Sequence, residues 1–134
     1  MPSPTASEKI GAFAESVRAE SVSAEVVHRV ARAFVDTFAV TIAGRQDPAS
    51  AIARDYVMAD GQGGPSTIWG TGERVRPEDA ALANGVMGHV LDYDDVGPVL
   101  SGHPSVVLLP ALLALGEAEG ATGGQISAAY AVGF

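Results

Sequence analysis

The sequence contains no cysteine. That excludes disulfides, thiolate zinc sites and cysteine-held iron–sulfur clusters within this chain, and says little about its redox compartment. Basic side chains are also scarce: eight lysines and arginines face sixteen aspartates and glutamates, a net charge of −8. No basic run and no basic–aromatic interleaving is present, so nucleic acid is not an expected partner. The same balance repels polyanions, and a carboxylate ligand would need cationic anchors from outside this segment. The longest apolar stretch, Val106 to Leu115, is too short to span a bilayer and is interrupted by Pro110. Residues 1–20 carry Glu8, Glu15 and Glu20 and no apolar signal core. The expectation is a cytoplasmic chain with no membrane association.

What remains is 134 residues, 47% hydrophobic and 18% charged, enough for one globular domain. No internal repeat or low-complexity segment interrupts it. Residues 1–7 read as a frayed terminus. Ser7 is the expected cap of a first helix over Glu8 to Ala19, with Ile10, Phe13, Ala14 and Val17 at helical spacing. Ser23 caps a second helix from Ala24 to Ala43, and Gly44 ends it. Its stripe is Val27, Val30, Ala31, Phe34, Phe38 and Ile42. Beyond Ala33 the apolar residues run nearly all round, which predicts a helix buried on most sides and a partnered, structural Asp36 within it.

Asp47-Pro48 opens a third helix to about Ala59. Residues 61–65 form a turn, and Ser66 to Trp69 is extended, with Val75 able to pair back on it. Pro77 starts a helix with Glu78 and Asp79 at its positive end. Ala80, Ala81, Ala83, Gly85 and Gly88 along it permit close approach by a helix or a substrate. Pro104 or Ser105 opens a helix to about Glu119, with Pro110 either kinking it or marking its first turn. Residues 120–124 turn, and Gln125 to Phe134 begins a last helix. Its stripe of Ile126, Ala129, Tyr130 and Val132 stops in mid-pattern, which reads as the N-terminal piece of a longer protein. The fold class is therefore all-α: a bundle of about six helices with at most one short β-hairpin, part of a larger helical domain.

The chemistry concentrates in one stretch. His89, Asp92, Asp94, Asp95 and His103 fall within fifteen residues, at a helix end, in a loop and before the next helix. On a continuous helix His89 and Asp92 would share a face, and the glycine-bearing loop would return His103 to them. Asp92-x-Asp94-x-x-Gly97 partly fits a calcium loop, but Val96 and His103 fall where its fifth and twelfth ligands belong. A transition-metal site drawn from the two histidines and the aspartates is chemically open. So is a purely structural loop with a satisfied core histidine. Acid/base work is the third reading: an imidazole oriented by a carboxylate suits proton transfer, and the helix after His103 favours an anion.

A resemblance adds to this. Ala80-Ala-Leu-Ala-Asn-Gly85, His89-x-x-Asp92-Tyr-Asp94-Asp95 and His103-Pro-Ser105 stand ahead of an alanine/leucine helix ending Ala-Leu-Gly-Glu-Ala-Glu119. Together they closely resemble the MmgE/PrpD family. Val35-Asp36-Thr37, Ala43-Gly44, Thr67-Ile-Trp-Gly70 and Ala128-Ala-Tyr-Ala-Val-Gly133 extend the likeness over nearly the whole chain in order. The family includes 2-methylcitrate dehydratase, cis-aconitate decarboxylase and iminodisuccinate epimerase.

The resemblance implies that residues 1–134 are the N-terminal part of a large helical domain, with a smaller lid domain beyond it. It implies a cofactor-independent lyase or isomerase acting on small polycarboxylates, without a metal, and commonly a homodimer. Asp92 and His103 would be the catalytic pair. His89, Asp95, Gly102 and Ser105 would line the substrate pocket. Val96 stands where many members carry threonine. The family's later histidine, lysines and tyrosine would lie past residue 134, so the isolated segment is expected to be inactive. The competing class is a non-catalytic helical binding domain that keeps the scaffold.

Overall fold

The computed structural model describes residues 3–59, 61, 63–97 and 101–134. Parts of three expected features fall outside these: the first two residues of the terminus, Gln62 in the 61–65 turn, and 98–100 in the loop before His103. Six α-helices and one two-stranded antiparallel hairpin make up the described residues, in the order α1 (Ala6–Ser16), α2 (Ala24–Gly44), α3 (Pro48–Met58), β1 (Ser66–Thr67), β2 (Arg74–Val75), α4 (Pro77–His89), α5 (Pro104–Glu119) and α6 (Gly123–Gly133). A 3-10 turn at Ala19–Ser21 joins α1 to α2. No helix among the described residues is long and apolar enough to cross a membrane.

Local chemistry sets most of the boundaries. Ser23 and Asp47 cap α2 and α3 as expected. Thr5, not Ser7, caps α1, because Thr5 stands three residues before Glu8 and the pair closes a reciprocal capping box. That helix also ends early, at Ser16, where Val17 turns extended. Thr122 and Gln125 form the same box on α6, which draws Gly123 and Gly124 into its first turn. Ser66 pairs with Val75 in the hairpin. Pro110 lies inside α5, which begins at Pro104. The carbonyl of Val106, four residues back, loses its helical donor to that proline.

The main core is built around the hairpin. Val57, Ile68, Val75, Ala80, Ala83, Met87 and Ala114 form one buried cluster. Asn84, fully buried on α4, accepts from the Trp69 amide at 2.9 Å and donates to the Thr67 carbonyl at 3.0 Å. Glu117 of α5 receives the Thr67 amide and hydroxyl at 2.6 and 2.9 Å. The hairpin is thus a strap binding α4 to α5, the pair that carries the site.

Small residues bring α2 onto the same helix. A side chain at Gly44 would collide with the Met87 carbonyl, and a Cβ at Gly88 would lie 2.7 Å from Val106 Cγ2 and 2.9 Å from Thr41 Oγ1. The small residues of α4 therefore admit neighbouring helices.

One expectation fails on α2. Its second half is not buried on most sides: Val35 and Phe38 are exposed, and so is Asp36. Helices α4, α5 and α6 reach α2 from one side, so the apolar residues facing away stay uncovered and Asp36 meets solvent. Helix α1 likewise buries no residue.

Candidate active site

The site is made where α4 stops. The Asp92 amide bonds back to the His89 carbonyl at 2.9 Å, and Asp92 itself takes a left-handed conformation with φ 54°. An aspartate tolerates that region better than most residues. Its consequence is large, because the helix does not continue and His89 and Asp92 do not share a helical face. Asp94 instead swings back under the helix end, each carboxylate oxygen 3.1 Å from His89 Nδ1.

His103 closes the cluster from the start of α5. Its Nε2 lies 3.4 Å from Asp92 Oδ1, and its Nδ1 lies 3.3 Å from both Asp94 Oδ2 and the Asp94 carbonyl oxygen. The two imidazoles meet edge to face, with centroids 4.7 Å apart. The Asp94 side chain is completely buried, His103 is mostly covered, and Asp92 is 80% exposed.

A carboxylate and a carbonyl can only accept, so the Nδ1 of each ring donates to Asp94. Nε2 of His103 faces outward beside Asp92. A proton taken there would sit next to a carboxylate that stabilises the imidazolium.

Asp95 does something different from its neighbour. Its Oδ1 accepts the Ser105 amide at 3.1 Å and its Oδ2 the Ser105 hydroxyl at 2.5 Å. Because Asp95 only accepts, Ser105 Oγ must in turn accept from the Tyr130 hydroxyl, 2.7 Å away. The negative charge lies at the N-terminus of α5, where the helix dipole favours it. Burial pushes the Tyr130 pKa up, the hydrogen bond to Ser105 opposes this, and the Asp95 charge adds to the rise. Gly102 accepts the Gly97 amide at 2.8 Å, pinning the ends of the loop between the two aspartates and His103.

The structure thus brings His103 to Asp92, as the sequence suggests, and gathers His89 beside them through Asp94. It ties Asp95 and Ser105 to each other and to Tyr130, and sets Gly102 in the loop bridge. Asp94 as the hub and Tyr130 as the anchor escape a reading by helical spacing. Asp94 stands five residues after His89, a separation that matters only once the chain has left the helix. Tyr130 reaches Ser105 across 25 residues. A large concavity of about 980 Å³ touches this constellation only through Asp95 and Tyr130; its other walls include Val30, Asp36 and Phe134.

The chain matches the profile of the MmgE/PrpD N-terminal domain over residues 8–134. It is 36% identical over 94 residues to cis-aconitate decarboxylase of Homo sapiens, covering 69% of this chain and 19% of that protein. Against cis-aconitate decarboxylase of Mus musculus it is 29% identical over 112 residues, covering 83% of this chain and 23% of that protein. The chain therefore spans about a fifth of the length of these curated relatives. It belongs to the MmgE/PrpD family.

Proposed function

We propose that this segment supplies the acid/base group of a lyase or isomerase that moves a proton at carbon next to a carboxylate of a small polycarboxylate. The observation behind this reading is His103. Its Nδ1 is held by two acceptors of Asp94, and its Nε2 is presented beside Asp92. Dehydration removes such a proton and protonates the departing hydroxyl. Decarboxylation of an unsaturated acid breaks a C–C bond, releases carbon dioxide and returns one proton to carbon. Epimerisation removes the proton from one face and restores it to the other. All three need one positioned group that takes a proton from carbon or delivers one to it. The relatives' name favours decarboxylation of cis-aconitate, and 2-methylcitrate dehydration is the neighbouring choice within the family.

Asp92 would stabilise the imidazolium, and His89, with Asp94, would complete the polar wall. The cluster brings carboxylates and no lysine or arginine, so the cations that hold the substrate would come from elsewhere in a longer, homodimeric protein. The segment alone would then be inactive. His103→Ala in the full-length protein should lower turnover of cis-aconitate or 2-methylcitrate by about 10²–10⁴-fold while leaving Tm in place. A fall in Tm with activity lost only in proportion would favour a scaffold role. Turnover by residues 1–134 alone would defeat the claim of incompleteness.

A further inference from the structure

We propose that Tyr130, on α6, is a positioning residue for His103, acting through Ser105 and Asp95. Its kinetic consequence rests on the acid/base reading of His103, and the placement itself rests on geometry alone.

The contacts begin at the first turn of α5. His103 stands at the N-cap, yet its own side chain makes no capping bond. Pro104 has no amide hydrogen, so the first backbone donor of the helix is Ser105. Asp95 takes that amide at 3.1 Å and caps the helix in place of His103. The imidazole is thereby left to Asp94 on one side and Asp92 on the other. Two adjacent carboxylates thus grip one helix start: Asp94 holds His103, and Asp95 holds Ser105. A shift of the Asp95 clamp carries the Asp94 acceptors with it, because a single peptide unit joins them.

Tyr130 completes that clamp from the far side. Ser105 is fully buried, and its Oγ accepts from the Tyr130 hydroxyl at 2.7 Å while donating to Asp95 Oδ2 at 2.5 Å. A hydroxyl that accepts becomes a stronger donor, so the first bond tightens the second. The ring of Tyr130 is held separately from its hydroxyl. It packs with Val30 and Leu109 and meets Phe34 edge to face, with centroids 5.7 Å apart. Phenylalanine would satisfy that packing equally. Among the described residues the hydroxyl bonds to Ser105 alone.

The test compares Tyr130→Phe with Phe34→Leu in the full-length protein, by NMR of isotope-labelled histidine and by turnover of cis-aconitate and 2-methylcitrate. The His103 ring signals are assigned by their loss in His103→Ala. Tyr130→Phe should shift those signals and lower kcat about three- to tenfold, with KM changed by less than about twofold. Ser105→Ala, which cuts the same path one step later, should shift the same signals, and adding Tyr130→Phe to it should do little more. Phe34→Leu loosens the packing around the ring without touching the hydroxyl, so it should lower Tm and leave the His103 signals and kcat in place. Unchanged His103 signals and kcat in folded Tyr130→Phe would overturn the proposal, as would an equal disturbance by Phe34→Leu. Full turnover by His103→Ala would instead defeat the acid/base reading, and the ring signals would still decide the placement.

Discussion

The hairpin side of the molecule and the outer face of α2 are built from similar residues and end up in opposite surroundings. Around the hairpin Ile68, Val75 and Met87 are at most 1% exposed, whereas on α2 Val35 is 71% exposed. The difference lies in what reaches each surface. The hairpin is held against α4 by Asn84 and against α5 by Glu117, so its side chains are enclosed from several directions. Helix α2 is met from one side. An apolar residue contributes to folding only through the water it loses. The chemistry sits between these regions, on the ends of the two helices that the hairpin joins.

The largest effect should come from the enclosed side. Ile68→Ala leaves a cavity that the surrounding clamp cannot collapse, and should cost about 2–5 kcal/mol in denaturant unfolding. A cost near zero would mean that the hairpin is not the rigid strap described here. Thr37→Val probes the inner face of α2, where the Thr37 hydroxyl is buried with no hydrogen-bond partner among the described residues. Removing that hydroxyl while keeping its shape should raise stability by about 1 kcal/mol. Destabilisation would reveal a partner for it.

On the outer face Val35→Ser should change stability by no more than about 0.5 kcal/mol. A large loss in the full-length protein would show that this face is covered there. The last effect, read at alkaline pH, belongs to Tyr130. Burial holds its folded-state pKa above the ordinary tyrosine value of 10.0, so its contribution is intact below that pH and is lost as pH rises through the raised value. Tyr130→Phe should remove that part of the alkaline loss of stability. An unchanged alkaline profile would separate the Ser105 anchor from the titration.

Much of this architecture can be read from the residues alone. Pro48 and Pro77 at helix starts, Asp47 and Ser23 as caps, and Val75 answering Ser66 are local signals, and each lies where its backbone chemistry requires. The meeting of His103 with the Asp92 region also follows from a short loop between two helices. The errors share a cause. His89-x-x-Asp92 looks like one helical face only while the helix continues, and the left-handed turn at Asp92 breaks that periodicity. The apolar second half of α2 shows a surface able to be buried, with no information about what is near enough to bury it.

By itself, then, the sequence determined the all-α class, the helix boundaries set by caps and prolines, and which residues carry titratable groups. Those properties depend on a few neighbouring positions and on backbone hydrogen bonds within reach of them. Only the tertiary structure decided that Asp94 lies beneath both imidazoles while Asp95 holds Ser105 and Tyr130. It alone decided which face of α2 is dry. Both depend on where one helix end lies against another, and adjacent carboxylates of the same kind acquire different roles from their surroundings, not from their chemistry.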